Sequence, residues 1–371
     1  MAEFVIVGGG IYGVGVAFWL TQQGADVHLL EAKSIGAGAS AGPGRRGTRA
    51  NGRDLRELPL IRLAQEQWPS LHEPLGVPAL FERSGHLLLF EHEEDLVSGH
   101  ARALMQNQHG IETHILSAAQ VQDREPGVSD QVIGALYCPH DGVTDHTAAT
   151  NAFADATRRA GATVEEGTKV SEIEFTGERS TAVITDDGRR IEVRRGLYVL
   201  ANAGVQSLLS ARLELPVWSR TFQILLTNPQ PNKAMRYLIG HASRTLAAKS
   251  ENDNRVMISG GLPGSWDHQT ESGTAIEPSI SANFADAVAV FPGLELANIE
   301  IADADHLETV SIDNIPVIDL IPGTSNTIYA TAWCGHGWAI APTVTQLLAK
   351  WGTSGRRPDL LAAFGHARFS S

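Results

Sequence analysis

Phe4-Val5-Ile6-Val7-Gly8-Gly9-Gly10-Ile11-Tyr12-Gly13 is the stretch that decides how the rest of the chain is read. Four β-prone apolar residues run into a glycine cluster, and an apolar, helix-compatible segment from Val14 to Leu20 follows. Gly8, Gly10 and Gly13 hold the three fixed positions of the G-x-G-x-x-G fingerprint in its strand-to-helix setting. The first glycine permits a tight turn. The second lets backbone approach a pyrophosphate that a Cβ would block, and the third lets the helix pack close to the strand. The backbone around Ile11 and Tyr12 opens a helix whose free N–H groups and positive dipole end favour an anion.

Outward from this turn, the helical pattern stops at Gln22-Gln23-Gly24, and a second strand, Asp26 to Leu30, ends in Glu31, followed by Ala32 and Lys33. Glu31 lies about 20 residues beyond the fingerprint, where a carboxylate accepts hydrogen bonds from a ribose diol. A solvated charge at a strand end is the alternative reading, but strand, fingerprint, helix, strand and acid in this order favour a dinucleotide site. Ser34 to Gly44 is built of small residues, among them Ala39 and Ser40, and Arg45, Arg46, Gly47, Thr48 and Arg49 follow. Such a loop lets backbone lie flat against a ligand, with positive charge beside it.

The 371 residues exceed a usual single core, so two domains or one elaborated α/β unit are expected. A hydrophobic share of 43% with 19% charged residues marks an ordinary globular protein. The 29 basic and 42 acidic side chains give a net charge of −13, which argues against nucleic acid or an anionic membrane as partner. No run of about 18 apolar residues predicts a membrane span. The glycine-broken, base-free amino end is not expected to be a signal peptide. Cys138 and Cys334 lack metal or redox spacing, so no metal is expected and a cytoplasmic location is the simplest.

The spacing predicts helices over Leu55–Leu71, Leu96–Gly110, Thr147–Ala160, Ser281–Val290 and Thr343–Trp351. A short capped helix is expected over Ser117–Arg124. Leu80–Phe90, Ala135–Cys138, Phe222–Leu226, Thr245–Ala248, Val256–Ser259 and Ile328–Ala332 read as strands, Asp141–Asp145 as a turn, and Asp187-Gly188 as a hairpin turn. Leu197 to Gly204 reads as a buried parallel strand closing on Ala201-Asn202-Ala203-Gly204. Near the carboxyl end, Ser311-Ile312-Asp313-Asn314-Ile315-Pro316 precedes a strand, then Gly335-His336-Gly337-Trp338-Ala339 and a helix. That turn directs partial positive charge into the space before it, although a turn histidine satisfied by its neighbours would look the same.

Fingerprint, Glu31 and the Gly36-Ala37-Gly38-Ala39-Ser40 loop, with these carboxyl-terminal motifs, resemble the D-amino-acid oxidase family of FAD-dependent amine and amino-acid oxidoreductases, including its glycine oxidase and sarcosine oxidase branches. The likeness covers nearly the whole chain. It implies an α/β fold: a Rossmann-like FAD-binding domain from 1–80, 141–215 and 307–371, and a mainly antiparallel β substrate domain from 81–140 and 216–306. It implies Ala39 and Ser40 near the phosphates, Arg45 to Arg49 near the flavin, backbone of Val170 at the adenine, Ala201 and Gly204 beside the dinucleotide, and Gly335 to Ala339 at the pyrimidine edge. The implied reaction is hydride transfer from an amine-bearing carbon to flavin N5, followed by imine hydrolysis.

Departures from the family pattern carry information. The arginine that glycine oxidases use for a substrate carboxylate aligns with Glu308, and the sarcosine oxidase lysine aligns with Ala339. Both carboxylate partners are thus missing, so a substrate other than a simple α-amino acid is expected, with Glu308 facing a cationic amine. Alternatively, Glu308 pairs with Arg49 or Arg53, which then binds a carboxylate. His306 stands where sarcosine oxidases tether the flavin, and a non-covalent FAD is expected. Lys249 is the candidate for the family's oxygen-activating lysine, although a solvated strand-end lysine is commoner. Arg49, Lys249, Glu308 and His336 are therefore the candidate catalytic residues. A non-catalytic FAD subunit and an NAD-dependent dehydrogenase are the alternatives, and a homo-oligomer or a redox partner stays open.

Overall fold

A computed structural model describes residues 2–370. Phe4–Val7 lies inside a six-stranded sheet whose order is Val317–Leu320, Thr327–Thr331, Gly196–Val199, Phe4–Val7, Val27–Leu30, Thr163–Glu165. It pairs in parallel with Gly196–Val199 on one side and Val27–Leu30 on the other. Helices cover such a sheet on its faces, which explains why its strands are continuous apolar runs rather than alternating ones. The helix Ile11–Gln22 packs against His146–Arg159 and against Ala341–Ser354. Gly15 makes the second contact close: a Cβ there would come within 2.7 Å of the Thr345 side chain. The last long helix is thereby pressed onto the first.

A second, eight-stranded sheet runs Ile299–Asp303, Ile224–Thr227, Val256–Ser259, Ala247–Ser250, Leu238–His241, His86–Phe90, Gly134–Cys138, His114–Ser117. It is antiparallel except where Leu238–His241 lies parallel to His86–Phe90. Its inner face joins helix Glu277–Val290 in a core that includes Leu87, Leu225, Ile239, Ile258, Ala287 and Phe291. An antiparallel ribbon of Val217–Thr221 and Leu307–Ser311 and a small sheet of Arg46–Thr48, Gly142–Thr144 and Phe81–Glu82 complete the surroundings of the site. Among the described residues no helix is long and apolar enough to cross a membrane.

Several local expectations are corrected. Asp141–Asp145 is not simply a turn: Gly142–Thr144 is a strand held between Arg46–Thr48 and Phe81–Glu82. Gly142 serves close packing, because a Cβ would strike the Phe81 ring at 2.7 Å. Leu80–Phe90 is two strands in different sheets, broken where Gly85 takes φ 71°. The helix read over Leu55–Leu71 spans Leu58–Gln67 and tightens into a 3-10 turn at Trp68–Ser70, where Pro69 has no N–H to give. The hairpin around Asp187-Gly188 is present and gains a third strand, Val170–Thr176. The capped helix Ala118–Arg124 carries the Ser117/Gln120 capping box that its sequence spells.

Candidate active site

Gly10 and Gly337 border one cleft of about 760 Å³. The three fingerprint glycines are required for different reasons. Gly8 has φ 111°, and a Cβ on it would meet the Leu200 carbonyl oxygen at 2.7 Å. A Cβ on Gly13 would overlap the Gly8 carbonyl, so its absence lets the helix seat on the turn. At Gly10 a Cβ would meet no protein atom within 4 Å. Its smallness leaves open cleft directly above the start of helix Ile11–Gln22, so these residues fit a pyrophosphate at that helix end. Glu31 closes this end: Oε2 accepts from the Gly9 N–H at 2.5 Å and Oε1 from the Lys33 N–H at 2.8 Å.

The glycine-rich loop is held by its own arginine. The Arg46 guanidinium donates to the carbonyls of Ser40, Ala41, Gly42, Pro43 and Gly44. Burial lowers its pKa to about 10. Arg45 instead bridges outward, with Nε 2.8 Å from Glu251 and Nη1 2.5 Å from Glu82. Lys249 is buried in strand Ala247–Ser250 and pairs with Glu251, so it is no solvated strand-end lysine. Burial brings its amine down to about 8. His146, on the same stretch of wall, drops to about 3 through burial and the charge of Arg46.

The other end of the cleft is made by segments far apart in sequence. His336 Nδ1 lies 3.1 Å from the buried Glu57 Oε1, yet burial, with Arg53 nearby, keeps the imidazole pKa below its usual value. The His336 turn does not enter the α-helix directly; a 3-10 segment, Gly337–Ile340, precedes Ala341–Ser354. Tyr12 stacks on Trp333 with ring centroids 3.4 Å apart, and its hydroxyl donates to the Gly337 carbonyl. Arg49 and Arg53 face the cleft, both lowered in pKa by burial. Among the described residues no carboxylate lies within ion-pair distance of either guanidinium. Glu308 also faces the cleft, accepting at 2.8 Å from the Asn202 side chain and at 2.8 Å from the Thr309 N–H. Burial raises its pKa to about 7, against the opposing pull of those bonds and one from the Gly335 N–H. It does not pair with Arg49 or Arg53.

Of the site residues expected from sequence, Gly8, Gly10, Ile11, Tyr12, Glu31, Ala32, Ala39, Ser40, Arg45, Arg46, Gly47, Arg49, Val170, Ala201, Gly204, Lys249, Glu308, Gly335, His336, Gly337 and Trp338 line the cleft. Gly13, Lys33, Thr48 and Ala339 do not. Gly13 lies behind the turn, and Ala339 turns its carbonyl to the Trp68 indole N–H at 3.2 Å. Sequence reasoning missed Asn202, Glu57 and Asp141. Asp141 accepts from the N–H groups of Ala50 and Asn51 and from Gln65, fixing the backbone between Arg49 and Arg53. Asn202 and Cys334 on the cleft, with Ala332 beside it, take positive φ, a conformation non-glycine residues adopt at a cost.

A strand–glycine turn–helix cradle closed by a distant Gly-His-Gly turn defines an FAD-binding oxidoreductase. Residues 3–351 match the family model of the FAD dependent oxidoreductases (DAO), and the chain belongs to that family. The beta subunit of sarcosine oxidase from Arthrobacter sp is 25% identical over 379 residues, covering 100% of this chain and 91% of the relative. N-methyl-L-tryptophan oxidase of Salmonella typhi is 25% identical over 391 residues, covering 99% of each. The crystal structure of L-proline dehydrogenase from P.horikoshii superposes with a TM-score of 0.90 at 22% identity, over 99% of this chain and 97% of that one. FAD is the cofactor. When bound, it supplies the hydride acceptor, at flavin N5, for oxidising a C–N bond of an amine or amino acid to the imine.

Proposed function

We propose that the substrate is an amine carrying a carboxylate, with the carboxylate held by Arg49 and Arg53 and the amine turned towards Glu308. The observation that carries this reading is the pair of guanidiniums on the cleft wall without a carboxylate partner. Asp141 and Glu57 act on these partly buried charges only from beyond ion-pair distance, and a ligand carboxylate would offset the remaining cost while accepting paired N–H bonds from a planar fork. This replaces the expectation of a substrate without a carboxylate, which rested on Glu308 and Ala339 alone. The chain's residues then bind and orient: the arginines fix one end of the molecule, and the stacked Tyr12 and Trp333 brace the Gly335–Gly337 turn at the same end of the cleft.

We assign the FAD as non-covalent. Two discontinuous domains, with the boundaries read from sequence, fit the division between the two large sheets. Two free cysteines suit the reducing cytoplasm we assign to the chain. The test is anaerobic bleaching of the flavin by primary and N-alkyl α-amino acids and by the matching decarboxylated amines. Amino acids alone should bleach it. Equal bleaching by the decarboxylated amines would reject the arginine clamp, and no bleaching by either set would favour a non-catalytic subunit. That second reading draws on the designation "subunit beta" of the sarcosine oxidase relative, and a pull-down for a stoichiometric partner chain addresses it.

A further inference from the structure

We propose that Glu308 is the proton acceptor for the substrate's ammonium group. The proposal deepens the amine reading above and rests on it. Amines and amino acids arrive protonated at neutral pH, whereas loss of hydride from the carbon requires the nitrogen lone pair. Some group must take that proton, and it must already lack a cation.

Glu308 meets these demands by position. The cleft wall holds two carboxylates, Glu31 and Glu308, and the first is occupied with backbone N–H groups at the fingerprint end. Around them stand Arg45, Arg46, Arg49, Arg53, Lys169 and Lys249, so an ammonium ion finds Glu308 as the acid beyond the fingerprint. The carboxylate is 7% exposed, and no cation among the described residues pairs with it. Arg220 stands directly across the ribbon, in register with Glu308. Its guanidinium instead lies over the Phe222 ring and donates to the Gly261 carbonyl. The titratable groups facing Glu308 from other elements are Tyr12 on the first helix and Cys334 on the last turn, both held neutral by raised pKa values.

Orientation is also built in. Asn202 holds φ 44° and spends its side-chain N–H on Glu308, while its carbonyl accepts from the Thr331 hydroxyl. An Asn in that conformation at the end of a parallel strand is strain that serves the carboxylate. The burial that raises the Glu308 pKa towards neutrality makes it a base matched to the working pH. In the step itself the ammonium N–H bond breaks and an O–H bond forms on Glu308, giving a neutral amine and a neutral carboxylic acid. No electrons leave the pair until the carbon gives its hydride to the FAD that the family reaction already supplies.

The test uses the FAD-loaded protein and Glu308→Gln, which keeps shape and removes the basic oxygen. Reductive half-reaction rates of the wild type should rise with pH through an inflection near neutrality. In Glu308→Gln that inflection should vanish. The rate should then follow the free amine in solution, roughly 100-fold low at two units below the amine's own pKa and recovering about tenfold per pH unit. Asn202→Ala should keep the inflection but move it. A readout that needs no turnover is binding of 2-aminoisobutyrate, which has no Cα hydrogen to lose, against pivalate, which has the carboxylate without the amine. Glu308→Gln should weaken the first and spare the second, whereas Arg53→Met should weaken both.

An unchanged inflection, or a deficit independent of pH, would overturn the proton role while leaving the amine reading intact. Wild-type protein that neither binds 2-aminoisobutyrate nor is reduced by any amine would overturn both.

Discussion

The two ends of the cleft are built on different principles. The fingerprint end is made of backbone: a turn that needs Gly8, a helix end above Gly10, and Glu31 spent on N–H groups. The far end is made of side chains brought from four separated places, Arg49 and Arg53, Asn202, Glu308, and His336 with Glu57 behind it. Backbone recognition follows from a contiguous motif and tolerates little variation. Side-chain recognition follows from tertiary contacts and is where relatives with one cofactor can differ in substrate.

One substitution separates the ends cleanly. Gly10→Val should leave thermal stability of the cofactor-free protein nearly unchanged, because its Cβ meets open space, yet weaken FAD by at least about 100-fold, ~2.7 kcal/mol. Titration of the apoprotein with FAD checks it. A Gly10→Val protein that binds FAD normally would break the division between the ends.

At the far end, Arg53→Met should lower kcat/KM for a carboxylate-bearing amine by about 1,000-fold, ~4 kcal/mol, as expected when one member of a desolvated charge pair is removed. FAD affinity should hold. Steady-state kinetics beside the FAD titration would show whether the two effects separate.

Glu308→Gln sharpens the comparison through pH. The folded-state pKa is raised to about 7 from 4.5, so the native protein holds a proton that the unfolded chain has released. The stability contributed by the protonated acid is therefore complete below about 4.5 and lost as pH rises through 7. By linkage the loss is at most about 3 kcal/mol at pH 8. Glutamine mimics the neutral acid, so the variant should melt higher than wild type at pH 8 and no higher at pH 4.5. A melting difference that does not change with pH would refute this.

The smallest effect lies where the ends touch. Tyr12→Phe removes the hydroxyl that serves the Gly337 carbonyl and should cost about 1 kcal/mol in denaturant unfolding. The stacking on Trp333 should survive it.

How much was legible in sequence follows the same division. The amino-terminal strand, turn, helix and acid were readable because each step is local and each glycine answers to backbone geometry. The strands at Gly196–Val199 and Thr327–Thr331 were legible as apolar runs ending in small residues. What failed was tertiary. Gly142 looked like a turn former, but its missing Cβ makes room for Phe81 from another segment. Nothing local marks Asn202 as a carboxylate's partner or Asp141 as the anchor of residues 50 and 51, because both bonds span tens of residues. Lys249 carried two readings in sequence, an oxygen-activating lysine or a solvated strand end, because nothing local shows that its strand is buried beside Glu251.

Arg46 gives the glycine-rich loop a property that its composition would deny it. A chain of small residues with positive φ at Gly42 and Gly44 would ordinarily wander, and a ligand would have to still it. With its carbonyls gathered onto one guanidinium, the loop has surrendered that freedom at the moment of folding. A cofactor arriving there meets a mould already set, and more of its contact energy survives as affinity.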